Sequence, residues 1–115
     1  MKTYNHFING VYCVPASGQY FDTENPYTGK TWAKIARGSS DDIEKAVTAA
    51  HTAFETEWSE IKPTERGKLL SHLAALIERD CVRLGELEVQ DNGKLIAEMG
   101  AQTKYLEEWY RYFGG

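Results

Sequence analysis

Near the end of the chain, Ile96, Met99, Thr103, Leu106, Tyr110 and Phe113 recur at steps of three and four. A strand turns its side chains over at every second residue and cannot gather these onto one face, whereas an α-helix can. Such a one-faced helix is marginal alone and needs a partner surface along most of its length. The rest of the chain must supply packing elements, and two further stripes qualify. Ile43, Val47, Ala50, Phe54 and Trp58 follow Ser39-Ser40-Asp41-Asp42, whose hydroxyls and carboxylates suit a helix start. Pro63 suits the first turn of a second helix, with Leu69, Leu70, Leu73, Leu76 and Ile77 as its stripe and an end near Arg79. A short third helix around Leu84 and Leu87 stops at Asn92-Gly93.

Residues 1–37 follow other rules. Asn9-Gly10 separates two apolar runs, Phe7-Ile8 and Val11-Tyr12-Cys13-Val14, and this pair accepts the positive φ angles of a tight hairpin turn. Pro15-Ala16-Ser17-Gly18 breaks the chain, and Asn25-Pro26-Tyr27-Thr28-Gly29 forms a second turn between Tyr20-Phe21-Asp22-Thr23-Glu24 and Thr31-Trp32-Ala33-Lys34-Ile35-Ala36. The expectation is an α+β arrangement: two N-terminal β-hairpins over residues 1–37, then about four helices over residues 38–115.

With 115 residues the chain buries about two-thirds of its unfolded surface, enough for one core without disulfides or metal. No apolar run reaches a membrane span's length, and Met1-Lys2-Thr3-Tyr4-Asn5-His6 has no secretory apolar stretch, so a cytoplasmic protein without a membrane partner is expected. Lys and Arg number 13 against 17 Asp and Glu, a net charge of −4 with no basic cluster, which disfavours nucleic acid as a partner. Cys13 and Cys81 are widely separated and read as reduced thiols, and His6, His51 and His72 lack zinc-site spacing. Glu86, Glu88, Asp41 and Asp42 read as solvated or capping carboxylates. Asp91-Asn92-Gly93-Lys94 reads as a helix C-cap with a flanking lysine, the alternative being a phosphate or cation site. On the last helix Gln102, Tyr105 and Trp109 form a second face at i, i+3 and i+7, consistent with packing or with a ligand contact. Trp109, Tyr110, Tyr112 and Phe113 crowd the final turns, where chain ends are ordinarily polar, so a homo-oligomer is expected to cover them.

The order of these motifs resembles the opening of the NAD(P)-dependent aldehyde dehydrogenase superfamily. The resemblance runs through Phe7-Ile8-Asn9-Gly10, Asn25-Pro26-x-Thr28-Gly29, Asp42-Ile43-x-x-Ala46-Val47-x-x-Ala50-x-x-x-Phe54 and Trp58. It continues in Arg66-Gly67-x-Leu69-Leu70, Leu76-Ile77-Glu78-Arg79-Asp80, Leu87-Glu88, Asp91-Asn92-Gly93-Lys94 and Arg111-Tyr112-Phe113-Gly114-Gly115. It implies an N-terminal segment of the cofactor-binding domain, within a longer α/β protein that has a Rossmann-like cofactor domain. In that family a cysteine thiolate attacks the aldehyde, an asparagine and a backbone N–H hold the oxyanion, hydride passes to NAD or NADP, and a glutamate assists thioester hydrolysis. This sequence has no glycine-rich phosphate loop, no F-x-N-x-G-Q-x-C stretch and no E-L-G-G-K stretch. No catalytic and no cofactor-binding residue is therefore carried over, and the 115-residue chain alone is expected to be inactive and to bind no cofactor. The resemblance does imply that Gln102, Tyr105 and Trp109 line the entrance for the aldehyde substrate. It also implies a structural monovalent cation near the carboxylate of Asp91 and the backbone carbonyls of Thr23 and Glu24, with a further ligand from outside this sequence. The competing class is a non-enzymatic helical interaction or scaffold module.

Overall fold

A computed structural model describes residues 1–115. The strands are β1 (Lys2–Tyr4), β2 (His6–Ile8), β3 (Val11–Cys13), β4 (Tyr20–Asn25) and β5 (Lys30–Ala36). The helices are α1 (Ser40–Glu55), α2 (Glu57–Glu60), α3 (Pro63–Asn92) and α4 (Ile96–Gly114). The α+β class expected from the sequence is the one observed. The chain divides into two compact units, Met1–Glu24 with Thr28–Glu60, and Asn25–Tyr27 with Ile61–Gly115. No helix is long and apolar enough to cross a membrane.

In the first unit β2 and β3 form the expected antiparallel hairpin, pairing His6 with Cys13 and Ile8 with Val11. Asn9 and Gly10 take φ angles of 52° and 77°, as a type I′ turn requires. β4 and β5 are neighbours joined by residues 26–29, a link too short for anything but an antiparallel turn. The sequence reading missed β1. Lys2, Thr3 and Tyr4 pair in parallel with Ala33, Lys34 and Ile35, giving a three-stranded sheet of order β1-β5-β4. No local pattern marks that pairing, because its partners lie far apart in sequence and β1 carries no apolar alternation.

The first helix begins as expected, but its packing face differs. Ser39 is the N-cap in a reciprocal capping box with Asp42. Asp42 is buried, Ala46 and Ala49 are half-buried, and α1 touches β2. The large apolar stripe points outward: Ile43, Val47 and Phe54 are each at least 60% exposed. The cause is the anchoring of Asp42, described below, which turns the small-residue side of the helix inward.

In the second unit the two middle helices of the sequence reading are one. α3 runs unbroken for 30 residues through Arg79-Asp80. Asp80 interrupts the apolar stripe but breaks nothing, since its carboxylate pairs with Arg79 at 2.9 Å and Arg83 at 3.5 Å on the helix surface, and neither glycine nor proline lies nearby. α3 and α4 pack along each other around Ala74, Ile77 and Met99, with Thr103 also buried and donating its hydroxyl to the Met99 carbonyl at 2.7 Å. Two close approaches set the crossing. A Cβ on Gly67 would collide with the Gly114 carbonyl oxygen, and one on Gly85 would lie 3.2 Å from Thr103 Oγ1. Arg111 adds an ion pair to Glu78 at 2.7 Å and another to Glu107. Coverage is narrower than the periodicity promised: Leu73 and Leu106 stay partly exposed, and Ile96 and Phe113 are mostly so.

Candidate functional site

The structure gathers the predicted residues of α4. Gln102, Tyr105 and Trp109 line a recess of about 570 Å³ together with Ala101 and Leu106. Helical geometry brings them together, since positions 102, 105, 106 and 109 stand at i, i+3, i+4 and i+7. The Tyr105 and Trp109 rings meet edge to face, with centroids 5.9 Å apart and planes at 86°. Both rings are more than half exposed. A smaller adjoining recess of about 180 Å³ shares Gln102 and Leu106 and is lined also by Glu88 and Lys94. The sequence reading had placed Leu106 on the buried stripe. A full helical projection would have put it between the two faces, which is where its partial exposure leaves it.

The Asp91-Asn92-Gly93-Lys94 segment is the helix C-cap that the sequence suggested. Gly93 adopts φ 74° and its N–H bonds the Val89 carbonyl. Asn92 donates to Glu88 Oε2 at 2.5 Å and accepts the Lys94 N–H at 2.9 Å. Asp91 is exposed on the last turn of α3. Pro26 packs against Gly93, where an added Cβ would lie 3.1 Å from the proline Cβ. Thr23, half-buried, and Glu24, exposed, belong to β4 in the first unit. No three His, Cys, Asp or Glu side chains cluster as a transition-metal site would need.

The most constrained polar group is one that the sequence marked only as a cap. Asp42 accepts the Ser39 N–H at 2.9 Å, the Ser39 hydroxyl at 2.8 Å and the Ala16 N–H at 3.0 Å, while His6 Nε2 stands 3.8 Å away. The donors from Ser39 first, with Ala16 and the nearby imidazole adding to them, favour the carboxylate and lower its pKa from 3.8 to about 2. Every partner is structural, so the cluster ties β2, the Pro15-Ala16 turn and α1 together without presenting a reactive atom.

Residues 13–115 match the aldehyde dehydrogenase family. The chain is 41% identical over 116 residues to the (Z)-2-((N-methylformamido)methylene)-5-hydroxybutyrolactone dehydrogenase of Acinetobacter baylyi, covering 100% of this chain and 23% of that protein. Among solved structures, an aldehyde dehydrogenase from Bacillus cereus superposes with a TM-score of 0.93 at 36% identity, over 99% of this chain and 24% of that one. A betaine aldehyde dehydrogenase from Staphylococcus aureus, solved in complex with NAD+, superposes with a TM-score of 0.92 at 31% identity, over 96% of this chain and 22% of that one. The chain thus spans about a quarter of the length of the relatives it matches, and with a family match that takes in β4, β5 and α1 to α4, it belongs to the aldehyde dehydrogenase family.

Proposed function

We propose that this chain is the N-terminal part of the cofactor-binding domain of an NAD(P)-dependent aldehyde dehydrogenase, a cytoplasmic oxidoreductase that converts an aldehyde to a carboxylic acid. What carries this reading is agreement over the whole chain at once, in sequence at 41% identity and in backbone at TM-scores of 0.92 and above. NAD or NADP, when bound to the complete enzyme, accepts the hydride. The residues of this chain do other work: they hold the helical flank of the domain and contribute one wall to the substrate's approach.

In this reading Gln102, Tyr105 and Trp109 touch the aldehyde, supported by their shared recess on α4. Asp91 and the carbonyls of Thr23 and Glu24 hold a structural alkali cation. All three are hard oxygen donors, the class such cations take. The 115-residue chain contributes no nucleophile and no phosphate loop, so by itself it binds no NAD and oxidises no aldehyde.

Sequencing the reading frame that carries this chain and assaying its full product for NADH formation tests the function. Turnover of an aldehyde is expected, and a full product that reduces neither NAD nor NADP with any aldehyde overturns the reading in favour of a scaffold module. Calorimetric titration of the 115-residue chain with NAD is expected to give no saturable heat. Saturable binding would show that the cofactor site lies within residues 1–115.

A further inference from the structure

The α4 recess has a one-sided chemistry. Its lining consists of two aromatic rings, Ala101, Leu106 and the neutral amide of Gln102, with no charged side chain. Glu88 and Lys94, of opposite sign, line the adjoining recess beyond Gln102 and Leu106. Tyr105 is 59% and Trp109 53% exposed, which leaves much ring surface for a ligand to cover.

Resting on the reading of α4 as a wall of the substrate's approach, we propose that Tyr105 and Trp109 determine specificity for an uncharged aldehyde with an aromatic body. A third ring can extend the edge-to-face pair, and Gln102, both donor and acceptor, can pair with a polar substituent on that ring. The other substrate bodies fit less well. An aldehyde bearing a carboxylate would lose water against this wall and find no cationic donor. A quaternary ammonium body needs ring faces converging on it with a compensating negative charge. Here the edge of one ring already occupies the face of the other, and no carboxylate lines the recess.

The test uses the full-length enzyme and three probes: phenylacetaldehyde, succinic semialdehyde and betaine aldehyde. The expected result is the highest kcat/KM for phenylacetaldehyde. Trp109→Leu and Tyr105→Leu, which keep apolar bulk but remove the ring, should each lower the kcat/KM ratio of phenylacetaldehyde to succinic semialdehyde by about 2- to 10-fold, the worth of one aromatic pair. Thermal unfolding followed by circular dichroism identifies a variant that fails to fold; Tyr105→Leu, at the more exposed ring, then carries the test. A kcat/KM for either charged probe equal to or above that for phenylacetaldehyde overturns the substrate class while leaving the dehydrogenase reading intact. So does a ratio unmoved by both substitutions. Absence of turnover with every aldehyde overturns both.

Discussion

At the scale of single residues, Asp42 shows how a cap becomes a hub. The Ser39-to-Asp42 spacing was legible as a helix start, because the capping box is a local pattern. The Ala16 and His6 contacts were not, since they come from residues 26 and 36 positions away, and nothing in either neighbourhood announces them. A carboxylate whose folded pKa lies at about 2, below its ordinary 3.8, stabilises the fold in full above the ordinary value and loses that contribution as pH falls through the folded one. Denaturant unfolding followed from neutral pH down to about pH 2 should show an acid-side loss of stability in this chain. Asp42→Asn should be less stable at neutral pH and should show a smaller loss, the remainder coming from carboxylates such as that of Asp80, which its bond to Arg79 also holds below the ordinary range; identical pH curves would remove Asp42 from the account.

Two glycines at this scale should respond in opposite directions. Gly100 on α4 has open space where a Cβ would stand, so Gly100→Ala should stabilise by about 0.5–1 kcal/mol through helix propensity alone. Gly67 would gain the same propensity, but its new methyl would meet the Gly114 backbone. Gly67→Ala should therefore cost about 1–3 kcal/mol net, as overpacking does. Chemical denaturation of both variants measures the contrast, and a stabilised Gly67→Ala would show that the crossing of α3 and α4 yields easily.

At the scale of elements, the apolar stripes located the helices but overstated their burial. Met99 is 2% exposed, whereas Leu73 and Leu106 are 39% and 38% exposed. Met99→Ala should cost about 2–5 kcal/mol, and Leu73→Ala or Leu106→Ala roughly half as much, because the cavity and transfer terms both scale with what is enclosed. Equal losses at all three positions would mean that the two leucines are as enclosed as the methionine. The Arg111 bridge to Glu78 and Glu107 sits on the surface of the same pair of helices, where solvent screening keeps its share small beside that of the buried side chains. The continuity of α3 belongs here too. A charged residue within a stripe looks like an end on the page, yet helices end at backbone signals such as Gly93, and Asp80 supplies none.

At the scale of the whole molecule, the exposed apolar surface is the dominant property. Ile43, Val47 and Phe54 on α1 and Trp109, Tyr112 and Phe113 on α4 are all more than half exposed, and β1 and β4 are open sheet edges. Surface of this kind drives association, at about 25 cal/mol for each Å² of apolar area covered. The 115-residue chain should therefore self-associate at micromolar concentration. Light scattering that finds a monodisperse 13.0 kDa species would refute this. In the full product the same faces should become protected from hydrogen exchange, as the remaining chain or a second subunit covers them.

Local patterns in the sequence determined where α1, α3 and α4 begin, where the first hairpin turns and how α3 ends, because period, capping and positive-φ turns act within a few residues of one another. They also marked Gln102, Tyr105 and Trp109 as one face of α4. The parallel pairing of β1 with β5, the rotation of α1 onto its small-residue side and the glycine-mediated approach of α3 to α4 were settled only by tertiary structure. Each depends on which distant backbone comes within hydrogen-bonding or van der Waals reach, and a stripe of apolar residues states that a face prefers cover without naming what covers it.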